Sequence, residues 1–507
     1  MKQPCTGRKP AVLFVVGARI LGIVGFLCIA GIDGESQQTS EAGLRQQLQQ
    51  LTDAMTRTQA QLEESQRQLQ EIRGQLDAIQ RQLAESTAGT SATQLAAAVN
   101  EIREQQSLQE AQIATHEQSK VESESKFPVK LSGLVLLNGF VNIKQVDAPA
   151  TPTLVLSGRG TTGASFQQTV LGLDARGPHL FNARSHADVR VDFAGDLFAS
   201  GYSAAVYESG GILRLRTAHA DLQWDRTDAF FSLDHTIAAP NTPTSLTAVA
   251  VPALSWSGNL WTWFPQVGAT RDVPLSPGQR LRIQGAIIAA PDAPPIYNLS
   301  ATPSSIVPPT TAQLSRWPGI EGRVALRGAS EHNGLQLGVG GLFAPHRVFN
   351  FNFDAWAGTL DYRIPFTSHT EFSGSIYHGQ ALGGLGGGAY KDYVVRADPD
   401  IPGHFYYRTL NGTGGWAQLK QRVDEHLEFN AAFGTDQVLA GQLRPYAGPA
   451  SSIYLNLARN RTYVGNVIYS PSAYLLFSLE YRHLQSSPVN GATNNGDVIG
   501  IATGYRF

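Results

Sequence analysis

Thiols are nearly missing from this chain: its only cysteines are Cys5 and Cys28, both within the first 33 residues. Removal of that segment as a secretory signal leaves no thiol and no disulfide, which excludes thiol catalysis, Cys-ligated zinc and iron–sulfur clusters. Such a chain suits export into an oxidising compartment, where a stray thiol could mispair. A basic excess is missing too. The formal net charge is -2 and the pI near 6.6, so bulk electrostatics gives no reason to expect a nucleic-acid partner. Charged residues make up only 16%, and no internal run reaches the roughly 20 apolar residues of a membrane helix. Catalytic signatures are also absent: there is no P-loop, G-x-S-x-G or H-E-x-x-H. His186, His219, His378 and His483 show no repeated metal-ligand spacing, and Asp234 and His235, adjacent in a strand, point to opposite faces. The chain is therefore not expected to be an enzyme, and no catalytic residue, metal site or cofactor is expected.

What is present falls into four parts. Residues 1–33 place Lys2, Arg8 and Lys9 ahead of an apolar run from Ala11 to Gly31, the layout of a signal peptide, although Arg19 interrupts the run. An uncleaved signal anchor is the alternative. Residues 41–84 form the second part. From Leu44 to Leu83 apolar residues recur at alternating steps of four and three, with Leu48, Met55, Leu62, Leu69, Leu76 and Leu83 at a and Ile72 and Ile79 at d. Only Thr58 and Ser65 break the seam, and Gln, Glu and Arg fill nearly everything between, so the spacing predicts an α-helical coiled coil about 60 Å long. Leu at a with Ile at d favours three or four strands over two. Residues 85–126 then read as a phase break around Gly89, a second helix from Gln94 to about Ile113, and a polar hinge.

From residue 127 to 507 period two replaces the helical period. Ala187, Val189, Val191 and Phe193 alternate with Asp188, Arg190 and Asp192; Leu475, Phe477, Leu479 and Tyr481 alternate with Leu476, Ser478, Glu480 and Arg482. The last stretch, "DVIGIATGYRF", puts Ile499, Ile501, Thr503, Tyr505 and Phe507 on one side. A soluble sandwich of this length would be unusual, and the pattern is that of an all-β transmembrane antiparallel barrel whose apolar side meets lipid and whose charged side lines the lumen. Spacing gives about 16 strands, with Pro-rich and Gly-rich stretches such as "GQALGGLGGGAYKDY" as loops. An even count puts both ends of the barrel, and the coiled coil, in the periplasm. Trp256, Trp261, Trp263 and Phe264, and Tyr406 and Tyr407, suit interfacial girdles, although each could equally be a loop or core aromatic. The terminal strand is expected to pair with "KLSGLVLLNGFVNIK" and to serve the outer-membrane barrel assembly machinery as a recognition signal.

The order of parts, together with "VKLSGLVLLNGFVNIK", "LRLRTAHADL", "RNRTYVGNVIYSPSAYLLFSLEYR" and the final "GYRF", resembles the DcaP-like outer-membrane porins. That resemblance implies a homotrimer of sixteen-stranded channels in the bacterial outer membrane, with periplasmic N-terminal helices and small anionic solutes such as dicarboxylates as cargo. Anion preference needs fixed cations on a rigid wall, and arginine supplies a permanent charge on a planar fork. Arg214 and Arg216 share one strand face and form the first candidate pair for the pore lining; Arg190 and Arg323 are candidates for the same field. The opposing reading is that acids such as Asp188, Asp192 or Asp221 neutralise the pair. Asp361 beside Arg363 and Glu480 beside Arg482 read as same-face pairs that cancel. The leading function is a passive diffusion channel; the alternative is a structural envelope protein whose coiled coil tethers the barrel toward the cell wall.

Overall fold

The computed structural model describes residues 128–195, 211–294, 309–328 and 334–507. The chain divides into two units, Met1–Ile113 and Ala114–Phe507. The signal segment, the coiled coil over 41–84 and the second helix and hinge over 85–126 lie outside the described residues.

Strands make up nearly everything described. The first six are β1 (Val129–Val146), β2 (Val155–Ser165), β3 (Val170–Leu180), β4 (Ala183–Asp192), β5 (Arg214–Gln223) and β6 (Thr227–His235). Six more follow: β7 (Trp263–Ser276), β8 (Gln279–Ile288), β9 (Gly319–Gly328), β10 (Gln336–Val348), β11 (Phe351–Pro365) and β12 (Thr370–Gln380). A short loop hairpin, β13 (Tyr393–Ala397) and β14 (Phe405–Thr409), precedes β15 (Asn411–Arg422), β16 (Leu427–Val438), β17 (Leu457–Tyr469), β18 (Leu475–Pro488) and β19 (Asn494–Arg506).

Each long strand pairs antiparallel with its neighbours, and β19 closes on β1 with Val135 opposite Tyr505 and Val141 opposite Ile499. Gly133 and Phe507 exchange both backbone hydrogen bonds at 3.0 Å, so the ladder runs to the last residue. The closed sheet contains 17 strands, of which β2 and β3 lie end to end along β1, which pairs with β2 through its second half and with β3 through its first. They share one position in the ring, giving a sixteen-stranded barrel. Closure removes every edge, the condition for a sheet to cross lipid.

Side chains sort as the alternation requires. On β18, Leu475, Phe477, Leu479 and Tyr481 are exposed on the outer surface while Leu476, Ser478, Glu480 and Arg482 are buried inside. The outer face is uneven around the ring. Aromatics such as Phe429, Phe433, Tyr463 and Tyr481 crowd β16–β18, whereas β4–β6 mix exposed Val189, Leu215 and Phe231 with small residues, among them Ala187, Ala218, Ala220 and Ala229.

Turns at one barrel end are short. Between β3 and β4, Phe181 and Asn182 both take positive φ (51° and 62°), the signature of a two-residue primed turn. The long connections leave the other end, and two of them fold inward. Loop 236–262, between β6 and β7, runs around the inside of the barrel, and loop 381–410, between β12 and β15, packs on it. Together they bury Trp256, Trp261, Tyr390, Val394 and Leu410 in one cluster and Leu260, Phe264, Tyr377, Leu382 and Leu385 in another. Trp256, Trp261 and Phe264 are thus interior residues and not part of an interfacial girdle, because the inner loop needs an apolar core of its own. Trp263 lines the inner wall beneath two arginines, and Tyr406 and Tyr407 belong to the β14 loop strand.

Candidate functional site

Loop 236–262 contains no charged residue. Its backbone must still find partners once it leaves water, and the inward side chains of the wall supply them. Asn138 donates to the Leu246 carbonyl at 2.9 Å, Asn466 to that of Thr244 at 2.9 Å, and Asn241 of the loop to that of Tyr362 at 3.1 Å. Gln168 accepts from the Val249 N–H at 2.6 Å, and Gln418 from the Thr244 N–H at 2.7 Å. Glu480 accepts from the Ser245 and Thr247 hydroxyls, both at 2.6 Å. Toward the end of the loop Gly258 takes φ +108° directly against the Gly415 carbonyl. These strand anchors lie on β1, β11, β15, β17 and β18.

Of the candidate arginines, Arg214 and Arg216 come together. A bulge in β5 between the partners of Arg190 and Val191 turns both to the inside. Arg214 grips buried Asp192 with two hydrogen bonds, at 2.9 and 2.6 Å, and donates to the inner-loop carbonyl of Ala250 at 2.8 Å. Arg216 lies 3.6 Å from the same carboxylate, and both guanidiniums sit over Trp263, at 5.2 and 5.1 Å from its ring. Two cations share one carboxylate here, and the acid that meets them is Asp192, not Asp188 or Asp221. Arg190 stands on the neighbouring strand with Asp174 at 2.6 Å and Asp188 at 3.7 Å.

Arg323 lies elsewhere. It is 4% exposed beneath the inner loop, joined to Asp361 by two hydrogen bonds at 2.8 and 2.6 Å and to Gln284 at 3.0 Å. Its position is structural, holding β9 to β11 across β10. The two same-face pairs read from the sequence divide: Glu480 and Arg482 do pair at 2.5 Å, but Asp361 takes Arg323, leaving Arg363 beside Glu371 at 3.8 Å. Asp234 pairs with His219 at 2.8 Å, and His235 packs on Trp263 with ring centroids 4.9 Å apart.

The second inward loop is a plug at the mouth. Tyr390 stacks on Trp256 at 4.1 Å, and its hydroxyl meets that of Thr153. Lys391 is fully buried and donates to the carbonyls of Ala389, Tyr454 and Leu457; burial draws its pKa down to about 7, against the opposing pull of Asp436. Burial pushes Asp392 up to about 6, only partly offset by the Ala293 and Gly384 N–H groups that it accepts.

The inner loop and its anchors escape a strand-by-strand reading of the sequence. Two signals were available. One is a long connection wholly without charge, unsuited to lie in water; the other is the set of amides, Asn138, Gln418 and Asn460, at inward strand positions with no charged partner to explain them.

No protein-family model matches the chain, and no curated protein does. Solved structures do. The outer membrane channel DcaP of Acinetobacter baumannii aligns with a TM-score of 0.53 at 16% identity, over 76% of this chain and 99% of that one. An anion-selective porin from Comamonas acidovorans aligns with a TM-score of 0.44 at 11% identity, over 75% of this chain and 100% of that one. The first is an outer membrane channel and the second a porin. The chain has the porin-like barrel fold of the DcaP outer-membrane channel.

Proposed function

We propose that the chain is an outer-membrane porin, a passive diffusion channel for small hydrophilic solutes that favours anions such as dicarboxylates. The observation that carries the anion preference is the sharing of Asp192 by Arg214 and Arg216 on a rigid wall facing the lumen. Two guanidiniums meet one carboxylate directly, with Asp234 the next acid near Arg216; both are already ordered by Trp263, and Arg214 by the Ala250 carbonyl, so binding a passing carboxylate costs little reorganisation. Arg190, outnumbered by Asp174 and Asp188, adds no net positive charge to the field. Arg323, matched by Asp361, contributes little. The small residues outside β4–β6 support a homotrimer that packs through this face and turns the aromatic face of β16–β18 to lipid. The heptad seam over 44–83 supports a periplasmic coiled coil.

Planar-bilayer conductance with reversal potentials in a salt gradient tests the reading. An anion-selective reversal potential is expected, moving toward zero when Arg214 and Arg216 are both replaced by Ser. Cation selectivity, or no conductance, overturns the anion channel; an unchanged reversal potential in the double variant removes the arginines from it.

A further inference from the structure

Spacing along the chain gives no metal-ligand pattern, but the cross-strand register assembles one. We propose that the inner wall of β3–β5 carries a divalent-cation site formed by Asp174, His186 and Asp188, with Asp221 as the group that orients the histidine.

Asp174 on β3 and Asp188 on β4 are direct register partners, and His186 lies one inward position before Asp188, opposite Asp221 on β5. One ligand atom from each of Asp174, His186 and Asp188 falls within 4.8 Å of the others. Two carboxylates facing each other across an antiparallel pair repel, and a sheet does not keep that arrangement without a counter-charge. Arg190 supplies one, at 2.6 Å from Asp174 and 3.7 Å from Asp188, and His219 stands 3.2 Å from Asp188 on its other side, so Asp174 and Asp188 share one guanidinium and one imidazole.

The histidine is prepared for a metal. Its Nδ1 lies 3.1 Å from Asp221 Oδ1, so Nδ1–H donates to the carboxylate and Nε2 keeps its lone pair. A carboxylate behind a ligating imidazole fixes its tautomer and raises its basicity, the usual support of a protein-bound transition metal. Asp221 Oδ2 is buried and has no hydrogen-bond partner among the described residues. His186 and Asp174 remain about a third exposed, at 31% and 28%, and Asp188 15%, so an ion reaches them from the lumen.

One imidazole nitrogen and two carboxylate oxygens, with room for water, suit Zn²⁺ and metals of similar preference. Ligand bonds of about 2.0–2.2 Å require the three side chains to draw together, displacing Arg190 from between the acids. The released guanidinium then faces the lumen, so a bound cation adds its own charge to this wall and frees that of Arg190 from the acids.

Zinc chloride titrated calorimetrically into the full-length untagged protein in detergent tests the site. Saturable binding is expected, weakened about 10–100-fold by Asp221→Asn and abolished by His186→Gln, with heat-modifiable barrel migration on gels checking that each variant folds. No saturable binding by the wild type, or equal affinity in both variants, overturns the proposal. In bilayers zinc is expected to shift the reversal potential toward anion selectivity, and a chelator to restore it; an unmoved potential with zinc bound overturns the displacement of Arg190. The binding measurement is independent of transport, so a protein that binds zinc but does not conduct overturns the channel and not the site.

Discussion

Replacing Glu480 by Gln keeps the size of the side chain and removes the charge on which the middle of the inner loop hangs. Glu480 is 1% exposed and accepts four hydrogen bonds: from Ser245 and Thr247 of the loop at 2.6 Å each, from Asn466 at 3.0 Å and from Arg482 at 2.5 Å. Bonds to a charged acceptor contribute roughly 1.5–3 kcal/mol each, so the two loop hydroxyls account for about 3–6 kcal/mol of attachment. A glutamine turns one of the two acceptor atoms into a donor facing other donors, and it strands Arg482, at a cost of about 3–5 kcal/mol for a broken buried pair. Because Asn241 on Tyr362, Gln168 on Val249 and Asn460 on Trp256 hold the loop on either side of this segment, the damage is expected to stay local: residues 244–247 loosen from the wall while the barrel remains closed. Limited proteolysis of the folded Glu480→Gln barrel should produce a new cut inside 236–262, and single-channel traces should become noisier. A loop as resistant as the wild type's, with unchanged current noise, would refute the reasoning that this carboxylate anchors it.

A Cβ at Gly258 would lie 2.1 Å from the Gly415 carbonyl oxygen and 2.8 Å from that of Thr435, on a backbone of φ +108°. Gly258→Ala is expected to cost roughly 1–3 kcal/mol, seen as a lower melting temperature, whereas Gly441→Ala, with open space around it, should change nothing. Equal melting temperatures for the two variants would contradict the close packing of loop on wall. Asp392, raised from 3.8 to about 6, holds its proton more tightly in the folded protein than in the unfolded chain. Its contribution is therefore full below about pH 4 and is lost as pH rises through about 6, amounting to ~3 kcal/mol. The melting temperature of the wild type measured against Asp392→Asn should fall between pH 4 and 7; a flat difference would refute it.

The barrel was legible because its information is local. Alternation on β18 and β19 identifies the lipid face residue by residue, and the turn chemistry between strands does the rest. What lies inside the barrel was not legible in the same way. Trp256 and Phe264 carry no mark that separates a girdle aromatic from a plug aromatic, since both environments favour large apolar rings. Arg323 and Arg216 likewise alternate with apolar neighbours in similar fashion; only the course of loop 236–262, set by contacts more than a hundred residues apart, buries the first and leaves the second partly exposed. Asp192 as the shared partner of Arg214 and Arg216 depends on the β5 bulge, an insertion of one residue that a strict count in twos passes over. The cluster around His186 depends in turn on register between three strands.

Closure of β19 on β1 has a temporal side. Leu134 stands opposite Arg506, so the ring cannot be completed until the last strand has been synthesised, and every earlier intermediate carries two open ladders. Such edges invite pairing with other chains and are slow to find each other across so much sequence. A barrel of this kind gains by keeping its edges apart until the strand that closes it is present. Its inner loop can reach Asn138 and Glu480, on walls from opposite ends of the chain, only once those walls have met. The pore's lining is in this sense the last thing made, and a barrel caught before closure would be an unlined one.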